Sequence, residues 1–488
     1  MKKIWNLLII IFFPFGVFSQ KIALTHSGTM YDSFENPVQS SFQKELSRKY
    51  ALNLLPALDA SLYFNGSANN AFKKFLFTRT VTGVPINDIG AGKFNQLDVS
   101  GGFHLFAFKI YQTVNYKREL GLSFQFKEDG YVKVTNELFA IFDNYNKFSQ
   151  SSYQNIFNNK AFNQTYWQLS INYREDYDEM WSFGGKVSLL DGATYSNINV
   201  NASTLNINRT ANSFVTTFTG NYTSSFGTDT ITVKKALPDF KNLGFAISGG
   251  TSYTSINGLY ITLNIKDLGF IHWNKTTPTY SFDDGATITN ANSADAGNRF
   301  GVAFGSIINN NETNKRIYSL IHTKIDIAAS KSFNNYTPIF VISKSAFRSD
   351  GQIGLLNNYK INAFNFGINS IYDLNTGLNF GSQLLIKSPN AEFYVGSEAL
   401  FPSYYLAKGY LTKDENIGKT DTKGSFYIGL NVNFGRKMQN IDNADEIPGL
   451  NDKETGFVVR LGNKERKKLQ KKNKQIEKRR EKTNKRNN

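Results

Sequence analysis

The 488-residue chain contains no cysteine. That absence excludes disulfide frameworks, thiolate metal sites, cysteine nucleophiles and lipid attachment through an N-terminal cysteine. Histidine is nearly as scarce: His26, His104, His272 and His322 stand far apart and offer no ligand spacing such as H-x-x-x-H. No metal site and no cofactor is expected. Serine hydrolysis requires a base and an orienting carboxylate converging on an activated Ser. There is no G-x-S-x-G elbow, and nothing places His104 or His322, both read as strand residues, beside a nucleophile. The chain is therefore read as a non-enzyme, with no catalytic residues. Charged residues are only 19% of the chain. After the leader, no stretch approaches the roughly 18 consecutive apolar residues that a spanning helix needs.

What the chain does have is aromatic residues, 15% of the total, carried by 42 Phe and 25 Tyr. Its first 19 residues read as a cleaved signal peptide: Lys2 and Lys3, an apolar run from Leu7 to Phe13, then Val17 and Ser19 before Gln20. The mature chain is thus exported.

The body alternates with period 2, as strands do when their faces meet two different solvents. Leu58, Ala60, Leu62 and Phe64 alternate with Asp59, Ser61 and Tyr63, and Leu120, Leu122, Phe124 and Phe126 with Gly121, Ser123 and Gln125. Leu259, Ile261, Leu263 and Ile265 alternate with Tyr260, Thr262 and Asn264, and Phe426, Ile428, Leu430, Val432 and Phe434 with Tyr427, Gly429 and Asn431. Aromatic residues at strand ends, Trp167, Tyr173, Trp181, Trp273 and Phe434, fit interfacial girdles. The pattern predicts an all-β fold, a transmembrane antiparallel barrel over residues 20–436 with about 14 strands, roughly 12 to 16. A water-soluble sandwich would also alternate.

Polar stretches at 145–163, 191–235 and 274–315 read as external loops, with parts of the second as strands projecting beyond the membrane. Val134 to Tyr145 has helical spacing and reads as a short loop helix or plug element. Lys127, Lys266, Lys324, Asp326 and Lys387 alternate with apolar neighbours and should point into the lumen. There they either bias permeation or pair with one another in a closed lumen. Asp283, Asp284 and Asp295, placed in an outer loop, suit a solvated turn better than a cation site.

The tail carries most of the net charge of +16. From Lys464 to Asn488, thirteen bases against three acids leave +10, with only Leu469 and Ile476 apolar. Such a segment cannot bury a core. It reads as a disordered or helical periplasmic tail joined to the barrel by a linker, residues 437–463. An exported chain does not routinely meet nucleic acid, and the run has no aromatic residue for stacking. Lys467, Lys468, Lys471, Lys472, Arg479 and Arg480 are instead candidates for contact with peptidoglycan carboxylates, lipid headgroups or an acidic periplasmic protein; outer-membrane lipid surrounds the barrel itself.

Four segments carry a resemblance: Asn36-Pro37-Val38-Gln39-Ser40; Leu54 to Ser61 followed by Asn69-Asn70-Ala71-Phe72; Ile265 to Trp273; and Ala391 to Ser397. Together, over residues 21–436, the chain resembles an uncharacterised outer-membrane barrel family of Bacteroidota. That family is distantly similar to long-chain fatty-acid transporter barrels and to barrels associated with type IX secretion and gliding. The Asn36-Pro37 pair echoes the transporters' Asn-Pro-Ala, with Val38 in place of Ala. The resemblance implies a barrel that transports or binds small hydrophobic or amphipathic molecules. The alternative is a non-transporting envelope scaffold, or a secretion-associated barrel, with a docking tail. Binding residues are not carried over, because fold does not fix activity.

Overall fold

The computed structural model describes residues 26–42, 48–111, 118–227, 232–309, 311–414, 421–437 and Lys471. The leader lies outside the described residues, as does the linker after Lys437. So does the tail except for Lys471, an exposed helical residue; the other candidates, Lys467, Lys468, Lys472, Arg479 and Arg480, are not described.

Seventeen strands form one antiparallel sheet. They are β1 (Arg48–Asn65), β2 (Phe94–Tyr111), β3 (Arg118–Thr135), β4 (Ser152–Gln154), β5 (Lys160–Asp176), β6 (Trp181–Asn208), β7 (Ser213–Ser224), β8 (Leu243–Thr254), β9 (Leu259–Thr289), β10 (Glu312–Leu320), β11 (Lys324–Lys331), β12 (Tyr336–Ser345), β13 (Gly351–Ile361), β14 (Phe364–Asp373), β15 (Gly377–Lys387), β16 (Ala391–Ser397) and β17 (Lys423–Lys437). The sheet closes where β17 pairs with β1, Phe426 opposite Ala60 and Val432 opposite Leu52. β7 and β8 are two pieces of one stave, as are β10 and β11, and the three-residue β4 only edges the top of β6. The ring therefore has fourteen staves.

Closure pairs every stave with a neighbour on each side, one of the two ways a backbone can satisfy itself in lipid. The side chains agree. Along β14, Phe364, Phe366, Ile368 and Tyr372 are exposed while Gly367, Asn369, Ile371 and Asp373 are buried, and β8 exposes Leu243, Phe245 and Ile247 over buried Gly244, Ala246 and Ser248. The outside is an apolar belt and the inside is polar and packed: this is a transmembrane β-barrel. No helix among the described residues is long and apolar enough to cross a membrane.

One end of the ring carries the long connections, the other the short turns at 177–180, 255–258, 332–335, 362–363 and 388–390. At the long-loop end the wall is uneven. β6 and β9, with 28 and 31 residues, rise far above β12, which has 10. Residues 274–289, read from sequence as loop, belong to this tall half of β9, because β10 pairs with it up to Tyr280 on one side and β7 from Thr279 to Thr289 on the other. Asp283 and Asp284 are thus strand residues, with Asp283 accepting from Thr219 Oγ1 at 2.7 Å, rather than loop ligands. Among the described residues no group of acids and histidines is arranged to hold a metal.

β9 also changes phase. Up to Ile265 the odd positions face out and Thr262, Asn264 and Lys266 face in. Asp267 then adopts φ 51°, and past it Leu268 and Phe270 face out while Ile271 and Trp273 are fully buried. A bulge inserts one residue and reverses every later side chain. Two consecutive charged residues, Lys266 and Asp267, consequently both point inward. Trp273 is core rather than girdle, packed with Leu190, Ala246 and Ile271, and Trp167 is also mostly covered; Tyr173, Trp181 and Phe434 remain exposed.

Candidate ligand-binding chamber and plugged lumen

Residues 26–42 do not join the wall but sit inside it. Their centre is α1 (Met30–Glu35), a short helix whose six residues are all buried, with Thr29 Oγ1 accepting from Asp32 N as its N-cap. Six residues cannot hold a helix alone; the wall holds this one. Arg174 Nε donates to Val38 O at 2.8 Å, Asn172 Nδ2 to Ser33 O at 2.9 Å and Lys387 Nζ to Ser41 O at 2.8 Å, while Met30 N donates to Glu392 Oε1 at 3.0 Å. On β6 the wall yields a side chain to admit the segment: a Cβ on Gly184 would lie 2.2 Å from Pro37 O.

Charge finishes the seal. Glu35 of α1 approaches Lys266 Nζ at 2.5 Å, Lys127 Nζ at 3.5 Å and His104 Nε2 at 3.6 Å. Asp267 takes Lys127 at 2.7 Å and Lys186 at 3.0 Å. Lys109 and Glu119, both fully buried, pair at 2.9 Å. Removing one partner from such pairs costs about 3–5 kcal/mol, because the other charge stays buried without compensation.

The five charged positions singled out from sequence are thereby located. Lys127 and Lys266 meet at Glu35, and Lys387 holds the plug backbone and lies 3.7 Å from Glu392. Lys324 lines a polar cavity higher up, and Asp326 accepts from Ser343 Oγ at 2.5 Å without reaching the plug. Sequence reasoning did not single out Glu35, Asp267, Asp129 or Arg348. Only the Lys266-Asp267 pair, adjacent charges in an otherwise alternating strand, carried a signal.

Above the plug is that polar cavity, about 340 Å³, lined by Asp98, Lys133, Lys324, Asp373 and their neighbours. A latch crosses it. Arg348, in the β12–β13 turn, donates Nη1 to Asp129 Oδ1 of β3 at 3.0 Å, while its Nη2 binds Oδ2. The guanidinium stacks 4.8 Å from the Phe162 ring and 5.4 Å from Tyr131. His322 completes the bridge: Nδ1 lies 3.0 Å from Asp129 Oδ1 and Nε2 2.9 Å from Asp350 Oδ2. His322 was read as a strand residue, yet it occupies the break between β10 and β11, level with the turn, where Ala346 N reaches Thr323 O. Burial alone would push its imidazole pKa down, but the Asp129 charge and the hydrogen bonds of both carboxylates raise it. For Asp350, burial works upward, and His322, Lys324 and Arg348 override it, bringing the carboxyl to about 2.

The second cavity is apolar, about 400 Å³, within the range of small-molecule sites, about 300–1,000 Å³. Phe64, Leu97, Val132, Val134 and Ala161 supply one wall; they alternate with Tyr63, Asp98, Tyr131 and Lys133, which line the polar cavity, so the chamber lies on the outer face of the tall sheet. Three helices cover it: α2 (Asn69–Thr78), α3 (Asn136–Asp143) and α4 (Ala296–Ile308). They contribute Phe72, Phe75, Phe139, Phe142, Phe300 and Phe304. α3 falls in the segment read as a loop helix. Phe300 touches four other rings, those of Phe142, Phe157, Phe214 and Phe218, which sets the chamber's rigid floor. Lys160, at the start of β5, lines both cavities.

No curated protein matches the chain in sequence. Among solved structures, the P. putida toluene transporter TodX is 8% identical, covering 82% of this chain and 93% of its own at TM-score 0.40. The Ralstonia pickettii toluene transporter TbuX is 8% identical, covering 83% and 94% at TM-score 0.41. A FadL homologue of Pseudomonas aeruginosa is 10% identical, covering 83% and 91% at TM-score 0.39. The barrel assignment rests on the strand pairing and not on these likenesses. A family model matches residues 41–398, from the end of the plug segment through β16, and the chain therefore belongs to the family of unknown function DUF5723.

Proposed function

We propose that this protein is an outer-membrane barrel that captures small hydrophobic or amphipathic molecules in the phenylalanine-lined chamber at its long-loop end, which faces outward. The observation that carries the reading is the chamber: a concave cavity of about 400 Å³ lined chiefly by phenylalanine and aliphatic side chains. Ligand sites for small molecules are concave and mostly apolar, with a few polar groups at the margin, and here Asn159 and Lys160 stand at that margin. The names of the transporters above suggest the same ligand class.

The test is titration of the refolded protein with an apolar fluorescent probe, N-phenyl-1-naphthylamine, competed by toluene and by dodecanoate. Saturable binding weakened roughly tenfold or more by Ile198→Trp, which fills the chamber, is the expected result. Binding unchanged by that substitution removes the chamber from the function.

A second reading has its own support. The plug is tied to the wall by buried ion pairs, which suits a non-transporting barrel whose basic tail docks an anionic periplasmic surface. On that reading, deleting residues 438–488 leaves insertion intact and loses co-purifying partners, and the barrel conducts nothing in planar bilayers whatever ligand is supplied.

A further inference from the structure

The wall between β15 and β17 is incomplete at its upper level. β16 ends at Ser397, opposite Ser382 of β15, so Gly377 to Gly381 have no β16 partner. On the other side β17 pairs with β16 only from Gly396↔Tyr427 downward, leaving Lys423 to Phe426 without one. This height lies within the apolar belt. Phe380 stands opposite Ser370 and Leu378 opposite Tyr372, which in turn faces Ile353; Leu378, Tyr372 and Ile353 are all exposed on the outward face.

The gap is occupied by helix α5 (Leu400–Thr412). It sits on the outer surface. Gly424 shares the outward face of β17 with exposed Phe426, and a Cβ there would come within 2.6 Å of Leu406 Cδ2. Ser403 Oγ accepts from Ser425 N at 2.8 Å and donates to Ser425 O at 3.1 Å, standing in for the missing strand. A Cβ on Gly409 would meet Phe77 Cε2 at 2.5 Å. Ser403, Leu406 and Gly409 thus form the inward stripe, three residues apart. Gly409 is the one buried residue of the helix, and the rest faces away from protein: Phe401 is 64% exposed, Tyr404 59% and Leu411 80%. Lys408 and Lys413 lie against the rings of Tyr404 and Tyr410, 6.0 Å and 4.2 Å from their centroids.

We propose that α5 is a lipid-facing helical panel in the barrel wall, its Phe401, Tyr404 and Leu411 side chains seated among acyl chains at the upper edge of the membrane. Continuity with the belt decides the occupant. The helix begins at the height of Phe380 and Leu378, which already face lipid, and a helix is the structure that can fill a strand gap there with its own backbone satisfied. Its composition agrees, since tyrosines beside lysines belong at the interface where stems lie in apolar surroundings and charges reach headgroups. This inference is independent of the chamber.

The absence of cysteine makes the test direct. Phe401→Cys, Tyr404→Cys and Leu411→Cys, each in the full chain, are spin-labelled and reconstituted into phosphatidylcholine–phosphatidylglycerol vesicles. Phe366→Cys serves as the belt reference and Ile256→Cys, 95% exposed in a short turn, as the aqueous reference. The label's collision rates with oxygen and with a water-soluble nickel chelate are compared. Oxygen exceeding nickel at two or more α5 positions, as at position 366, is expected. Nickel exceeding oxygen, as at 256, overturns the proposal by placing the helix in water. Shielding from both overturns it by showing that protein, a second copy or another part of the chain, covers the face. Unboiled electrophoresis certifies each folded variant, and the three positions guard against the loss of one.

Discussion

Asp129 and Arg348, on opposite sides of a fourteen-stave ring, meet in a two-pronged ion pair, Nη1 to Oδ1 at 3.0 Å, with His322 bound to the same carboxylate. The β12–β13 turn is short and low, so it reaches β3 only by folding across the lumen. Arg348→Ala leaves that turn without its far anchor. In a Glu35→Gln background, which loosens the plug below the latch, Arg348→Ala is expected to raise single-channel conductance in planar bilayers severalfold, with a loss of stability of about 1.5–3 kcal/mol for the lost charged hydrogen bonds, since His322 still faces the carboxylate. Asp129→Asn should act in the same direction and more mildly. A conductance equal to that of the Glu35→Gln parent in both variants shows that the latch does not close the pore.

The latch should respond to pH on its alkaline side. His322 faces Asp129 and Asp350, with Lys324 and Arg348 nearby, and its folded pKa is raised. A raised group contributes fully below its unfolded value of about 6.5, and the contribution is lost as pH rises through the folded one. Asp350, lowered to about 2, contributes above the unfolded value of about 3.9 and loses its share as pH falls through about 2. The latch is therefore strongest between roughly pH 4 and 6.5. In the Glu35→Gln background, conductance measured from pH 5 to 10 should climb at the alkaline end, and His322→Gln should flatten the profile by raising the acid end to the alkaline level, because the contribution it removes is the one present at low pH.

Plug retention depends on Glu35. Glu35→Gln strips Lys266, Lys127 and His104 of their shared carboxylate. A cysteine placed at Val38 should then react with maleimide at least about tenfold faster, since a lost pair of this kind is worth several kcal/mol. Equal rates in the two backgrounds argue that backbone contacts alone hold the segment.

Gly184→Leu tests the same docking without touching charge. The new side chain occupies the position of the Pro37 carbonyl, 2.2 Å from its Cβ, so the plug is displaced while the β5–β6–β8 pairing remains. Heat-modifiable migration should persist as labelling at position 38 accelerates. A variant that loses migration altogether shows instead that the plug is needed for the barrel to form.

The ring was legible in the sequence because a closed barrel in lipid imposes alternation on every stave. Leu259 to Ile265 and Phe426 to Phe434 show it without interruption. What interrupts it was not legible. Asp267 turns the chain with φ 51° at the cost of one residue, and the adjacent charges Lys266-Asp267 mark a break in the alternation without telling a bulge from a loop end. Trp273 was consequently placed at a membrane interface when it is fully buried. The site was read in half: Lys127, Lys266 and Lys387 belonged inside by parity, but Asp267 lies 140 residues from Lys127, and Glu35 sits on a plug helix too short to leave a periodic trace. The aromatic chamber left no local signal, because its phenylalanines come from six separate segments whose nearness is a product of the fold.

The tall wall of the barrel works as a partition. Tyr63, Asp98, Tyr131 and Lys133 face the lumen, while their neighbours Phe64, Leu97, Val132 and Val134 face the apolar chamber, with Lys160 at the border of the two. Adjacent positions on one strand thus serve different compartments. Occupancy of the chamber and permeability of the pore are accordingly separable traits. Either can drift under selection, or be redesigned, by exchanging residues of one parity while the other parity stays fixed.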